Sequence, residues 1–412
     1  MTGITGITRG KVDLSIPHNV PSDEDWRYEV GYPFQIGPNT GALVCGIIAS
    51  GSGNIDFCNG GDLVLFDDLD EIHADGAIPM ARNITTGTSS FTMMGLPLGG
   101  FVPFGAKLAD DSPHPHAGTG FGLCTAWLYK LDQTGHFDYR EIHSGYFEVF
   151  QLAYDEKGFR VVTKERAERE TLLPGWTIEG GGFPFAIADG EDLLYVMMGK
   201  KGERSLSGVA RWRHGADGWQ PISFVPVTGE EIRWGEPSLI RDIDDSLLFS
   251  ARSECSVLPG IAFDAAVWRS TDNGATWEQI IYRENCRARS PVSINRATDG
   301  TPYLAANLPP NDRTREVLCC WPLNESRTDF GEPFIARDAP TEFGPAPSGS
   351  WWRVDHPVSA VIRLADGAWH SVLGYHIVDN GEIEGSAGPT PQTGCYMEEV
   401  FSKGEVIPAW RF

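Results

Sequence analysis

One unit recurs along the chain: an opening residue, a proline, an apolar segment, a turn rich in Gly, Asp or Asn, and a second apolar segment. The copies are YPFQIGPNTGALVCGII from Tyr32, HPHAGTGFGLCTAWLYKL from His114, FPFAIADGEDLLYVMMG from Phe183, EPSLIRDIDDSLLFSAR from Glu236, SPVSINRATDGTPYLAAN from Ser290 and HPVSAVIRLADGAWHSVL from His356. Each reads as strand, tight turn, strand. The prolines fall at 33, 115, 184, 237, 291 and 357, spaced by 82, 69, 53, 54 and 66 residues. A four-stranded blade with its loops takes roughly 40–50 residues or more. Proline is tolerated at the first strand position, where its missing N–H need not join a ladder. Radial repetition shields most sheet edges. The pattern predicts an all-β chain: a β-propeller of six four-stranded antiparallel blades, formed by 1–412 as one domain. The unassigned stretch 83–104 leaves room for a seventh, degenerate blade.

Composition agrees. The 412 residues include 48 Gly, 28 Pro, 13 Trp and 21 Phe, a mixture of turns and aromatics with few long amphipathic helical stretches. The net charge of −23 disfavours phosphate backbones and anionic membranes, which want a basic face. A local arginine cluster would still admit an acidic sugar. The eight Cys form no C-x-x-C pair, so a zinc site of that kind has no support. Their scatter suits disulfides such as Cys45 with Cys58, or buried thiols. No apolar run approaches a membrane span, and MTGITGITRG lacks the apolar core of a signal peptide. The expectation is a secreted monomer whose leader is missing from the sequence, with a cytoplasmic protein as the alternative.

Residues 270–277 read Ser-Thr-Asp-Asn-Gly-Ala-Thr-Trp. Asp272 can accept from turn amides, Gly274 can take positive φ, and Trp277 can pack beneath the hairpin. The motif resembles the Asp-box, S-x-D-x-G-x-T-W, of the sialidase superfamily. That resemblance implies the propeller fold, with the motif on a peripheral turn away from the active site. Sialidases bind the substrate carboxylate with an arginine triad and use a tyrosine nucleophile paired with a glutamate. The segment from Glu236 to Arg252 is similar to the one that carries this glutamate and one triad arginine. The early F/Y-R-I-P motif is replaced by YPFQI, and no Y-S-x-L segment occurs near the C-terminus; Tyr375 and Tyr396 are the substitutes.

In propellers the strand nearest the axis starts at the funnel mouth. Tyr32, His114, Phe183, Glu236, Ser290 and His356 are therefore expected to converge, joined by His116, Arg289, Arg353 and Asp355. Titratable residues at strand mouths suit a binding pocket. Ulvan lyases and rhamnose–glucuronate lyases resemble the chain in fold and residue type. They cleave by β-elimination at a uronic acid: a cation neutralises the carboxylate, and His or Tyr moves the protons. On this reading His114, His116, Tyr146 and His356 are catalytic. Tyr32, Arg140, Glu236, Arg252, Arg289, Arg353 and Tyr375 bind an acidic oligosaccharide or polysaccharide. The His-x-His pair could alternatively ligate a metal. No cofactor is required, and acidic loops such as Asp67-Asp68 offer a structural calcium site. An exo-sialidase or related hydrolase, and a non-catalytic glycan-binding propeller, are the alternatives.

Overall fold

The structure, a computed structural model, describes residues 4–11, 26–49, 60–70, 72, 78–82, 85–86, 89–94, 99–131, 137–183, 185–229, 234–253, 263–288, 290–309, 315–383, 386–388 and 390–402. Strand β1 (Ile4–Lys11) belongs to the last blade. Blade 1 holds β2 (Trp26–Gly37), β3 (Thr40–Ala49), β4 (Gly60–Phe66) and β5 (Ile78–Arg82). In blade 2 the inner strand is broken: β7 (Ser89–Met94), which also carries the short β6 (Thr85–Thr86), and β8 (Gly100–Val102) pair with successive parts of β9 (Thr119–Leu131). Then follow β10 (Phe137–Asp155) and β11 (Gly158–Ala167). The stretch 83–104 thus supplies the inside of blade 2, and the propeller has six blades.

Blade 3 is β12 (Thr177–Gly181) with β13 (Ile187–Asp189), then β14 (Asp192–Lys201), β15 (Arg204–Gly215) and β16 (Gly218–Pro226). Blade 4 is β17 (Trp234–Arg241), β18 (Leu247–Ser253), β19 (Phe263–Ser270) and β20 (Glu278–Arg287); blade 5 is β21 (Ser293–Arg296), β22 (Pro302–Asn307), β23 (Val317–Pro322) and β24 (Phe334–Asp338). The short helix α1 (Ala339–Phe343) leads to blade 6: β25 (Trp352–Arg363), β26 (Trp369–Asp379), the turn of helix α2 (Asn380–Ile383), and β27 (Gly394–Ser402). β1 pairs antiparallel with β27 and closes the ring.

The inner strands leave no open edge toward one another. Main-chain donors bond across every interface between neighbouring blades. Phe104 N donates to Ile36 O, Ala186 N to Gly99 O and Phe183 N to Pro237 O (2.8, 2.7 and 2.7 Å). Ile294 N donates to Ser238 Oγ, Ser359 N to Asn295 Oδ1 and Arg363 N to Gln35 Oε1 (2.8, 3.0 and 2.6 Å). Main-chain donors that radial packing would strand are thereby satisfied. The core is divided in the same way, with one apolar cluster in each interface between blades. Between blades 2 and 3, Phe121 stacks on Trp212 at 3.8 Å.

The 270–277 turn joins β19 to β20. Asp272 accepts from Thr276 N (2.8 Å), Thr276 Oγ1 (2.6 Å) and Ser270 Oγ (2.8 Å), while Trp277 Nε1 donates to Gly274 O (3.1 Å). These bonds, led by that of the Thr276 hydroxyl, hold the Asp272 carboxyl down at about 2. Cys45 is a buried thiol, its pKa raised well above the ordinary value first by burial, and is not in a disulfide; Cys58 lies outside the described residues. No helix of the described residues is long and apolar enough to cross a membrane.

Candidate functional site

Inner strands begin, and second strands end, at one mouth of the ring. Blades 4, 5 and 6 bring their polar residues together there. Glu236 lies near the start of β17 and Arg252 near the end of β18, with Gly235 and Arg252 in register. Arg252 Nη1 donates to both Glu236 oxygens at 2.9 and 2.8 Å. Behind them Arg287, at the end of β20, is fully buried. Its guanidinium donates to the carbonyls of Asp264 (2.8 Å), Ala288 (2.9 Å), Ser290 (3.1 Å) and Ser253 (3.2 Å). Burial, with Arg252 nearby, pushes Arg287 down to about 9, still charged at neutral pH.

In blade 6 the buried Asp355 carboxylate accepts from Arg353 Nε (2.6 Å), from Arg315 and from His356 N (3.0 Å). Burial alone would raise its pKa; Arg315 foremost, then His356 and Arg353, hold it well below the usual carboxylate range. Arg315 enters from the loop before β23. Its backbone bridges Arg353, and Val354 N donates to Arg315 O at 2.9 Å. The Asn307 amide fastens this junction by donating to the carbonyls of Arg315 (3.0 Å), Val317 (3.3 Å) and Val354 (2.9 Å).

His356 follows Asp355, with φ of 52°. His376, opposite Asp355 on β26, is 1% exposed, and its ring centroid lies 5.2 Å from that of His356. Burial pushes His376 well below the ordinary imidazole range, so it is neutral. Neither of its ring nitrogens has a hydrogen-bond partner among the described residues. Phe183 from blade 3 meets His356 edge-on at 5.8 Å and Tyr32 from blade 1 at 5.3 Å, completing an aromatic wall.

Three arginines (252, 315, 353) therefore pair with two carboxylates (236, 355), with Arg287 buried behind them, a local excess of positive charge in a chain of net charge −23. Such a cluster, walled by apolar rings, concentrates positive potential at this mouth.

The expected residues divide. Glu236, Arg252, Arg353 and His356 are gathered as foreseen, with Tyr32 in the wall. His114 and His116 are not at this mouth. They lie in the connection from β8 to β9, at the opposite end where first and second strands turn. The cause is the broken inner strand of blade 2: β7 and β8 take the place expected for the segment at His114. There His114 accepts at Nδ1 from His116 N (3.1 Å) and donates from Nε2 to Gly190 O (3.1 Å), while His116 stacks on His214 at 4.2 Å. Tyr146 lies on β10, in contact with Glu148 (3.5 Å) and beneath the Arg166 guanidinium (3.9 Å). Tyr375 is corrected from substrate binder to core. It is fully buried, receives Arg337 Nε at 2.8 Å, donates to Glu398 and stacks on Tyr396 at 5.8 Å. The Arg140 side chain and Arg289 lie outside the described residues. Arg287 and Arg315 were missed because neither belongs to the repeated unit.

No protein-family model and no curated protein sequence matches the chain. Solved structures do. NanB sialidase from Streptococcus pneumoniae, in complex with 2-[(3-chlorobenzyl)ammonio]ethanesulfonate, is similar with a TM-score of 0.53 at 8% identity, over 90% of this chain and 68% of that one. The Penicillium chrysogenum alpha-L-arabinanase complexed with arabinobiose is similar with a TM-score of 0.51 at 10% identity, over 99% of this chain and all of the other. The likeness is one of fold, a six-bladed β-propeller.

Proposed function

We propose that the protein is a carbohydrate-active enzyme that holds a sugar carboxylate against Arg252, Arg315 and Arg353, and that its reaction is β-elimination at a uronic acid. The observation that carries this is the arginine excess set beside His356. Charge neutralisation by the guanidiniums lowers the cost of the carbanion that forms at C5. His356 takes the C5 proton, the electron pair becomes the C4–C5 double bond, and the C4–O bond breaks. Tyr32, across the Phe183 ring from His356, protonates the departing oxygen. A secreted monomer, with the whole of 1–412 as its propeller and an acidic glycan as substrate, belongs to the same proposal.

A second reading, hydrolysis of a sialoside-type sugar, draws on the Glu236–Arg252 pair and on the sialidase likeness. Against it, the Glu236 carboxylate is held by arginine and by no tyrosine among the described residues. The test is ultraviolet absorbance of an unsaturated uronate during incubation with gum arabic, ulvan, pectin and glycosaminoglycans, beside a fluorogenic sialoside. Absorbance that rises with the wild type and is lost in His356→Ala supports elimination. Sialoside release without absorbance replaces it with hydrolysis. Silence in both, with retained glycan binding, leaves a binding propeller.

A further inference from the structure

We propose that Asp355, His356 and His376 form a binding site for a divalent first-row metal ion, with zinc as the ion tested, and that the ion competes with turnover. One donor atom from each of the three residues lies within 4.8 Å of the other two. Two imidazoles and one carboxylate with an open fourth position is a ligand set that zinc accepts, at ~2.0–2.1 Å from each nitrogen. Coordination requires the three donors to draw together from their present separation.

His376 points independently to a ligand. An imidazole 1% exposed with neither ring nitrogen hydrogen-bonded among the described residues has an unmet cost, since a buried polar group without a partner is unfavourable. A metal bond would meet it. Asp355 retains capacity too. A carboxylate offers about four lone-pair positions, and Arg315, Arg353 and the His356 N–H occupy three. The two guanidiniums repel a cation, which weakens the affinity.

Metal binding rests on this geometry alone. Competition with turnover rests also on the elimination reading, because a coordinated His356 has no lone pair left to accept the C5 proton. The experiment uses the full chain stripped with EDTA, titrated with zinc chloride against a chromogenic chelator, then with cobalt chloride followed by visible absorption. One ion per chain is expected, with affinity reduced at least about tenfold in both His356→Gln and His376→Gln. Zinc should raise the melting temperature of the wild type and leave that of each variant unchanged, which separates ligand loss from misfolding. No binding to the wild type, or binding indifferent to both substitutions, overturns the site. Zinc should suppress uronate elimination in proportion to occupancy in the wild type but not in His376→Gln. Stoichiometric binding without suppression overturns the competition and keeps the site.

Discussion

Glu236 and His356 occupy the same place in two blades. Each precedes a proline at the opening of an inner strand, beside a register shift, and each has left-handed φ, 46° and 52°. A left-handed non-glycine residue costs roughly 1–2 kcal/mol, and a following proline normally drives the residue toward extended backbone. Strain of this kind persists where the surrounding structure over-determines it. Here it turns a carboxylate and an imidazole toward the mouth. Replacing His356 by glycine should leave the protein about 1–2 kcal/mol more stable than replacing it by alanine, while both variants lose turnover. Urea unfolding of the pair measures the difference; equal midpoints would deny the strain.

Arg287 acts on the site by holding its floor, bonding the carbonyl of Ser253, next to Arg252, and that of Ser290. Arg287→Met should destabilise by on the order of 3 kcal/mol, because buried carbonyls lose their donors. Its effect on a surviving enzyme should fall on KM, since Arg252 loses its placement. Chemical denaturation gives the first quantity and steady-state kinetics the second.

Asn307→Asp is nearly isosteric, yet it replaces an amide that donates to three carbonyls with an acceptor. A loss of about 2–4 kcal/mol is expected, with Arg315 released from Asp355. Comparison with Asn307→Ala, which removes the donor without adding an opposing charge, isolates the repulsion. If the aspartate variant were the more stable, the account of this junction would fail.

The histidines at the far mouth give the fold a pH dependence of known sign. His114, His116 and His214 are each held below the ordinary 6.5, first by burial. As pH falls below 6.5 the unfolded chain protonates them while the folded chain does not, so stability falls until the lowered folded values are passed. His370 has the opposite sign. The Glu399 hydrogen bond foremost raises it, so its contribution is present below 6.5 and is lost as pH rises through the raised value. His116→Phe keeps an aromatic ring on His214 and removes one proton site. Its denaturation midpoint should decline less than that of the wild type on acidification below 6.5.

The architecture was legible because a proline-led hairpin, repeated along the chain, has few other ways to bury its apolar faces. The same unit misled at Pro115. Its hairpin pattern is genuine in composition, but 103–118 is a connection, and the inner edge of blade 2 comes from short strands on either side of a break. Glu236, Arg252, Arg353 and His356 could be read from their places beside the prolines. Tyr375 could not be told from its neighbour His376, because one residue along a strand reverses the face. It turns into the interface between blades 5 and 6, where Arg337 and Glu398 await it. Arg315 reaches Asp355 through a loop, and loop reach leaves no periodic trace.

Closure of the ring by β1 has a consequence for synthesis. Lys11 pairs with Tyr396, so β1, once it leaves the ribosome, waits for all the intervening blades before it finds its partner. At ~5–20 residues per second that wait lasts tens of seconds, during which the nascent protein carries an orphan edge. Blades 4, 5 and 6, which hold the arginines and histidines of the mouth, are also the last to emerge. The polar mouth and the sealed circle are thus completed together, and a truncated product would have neither.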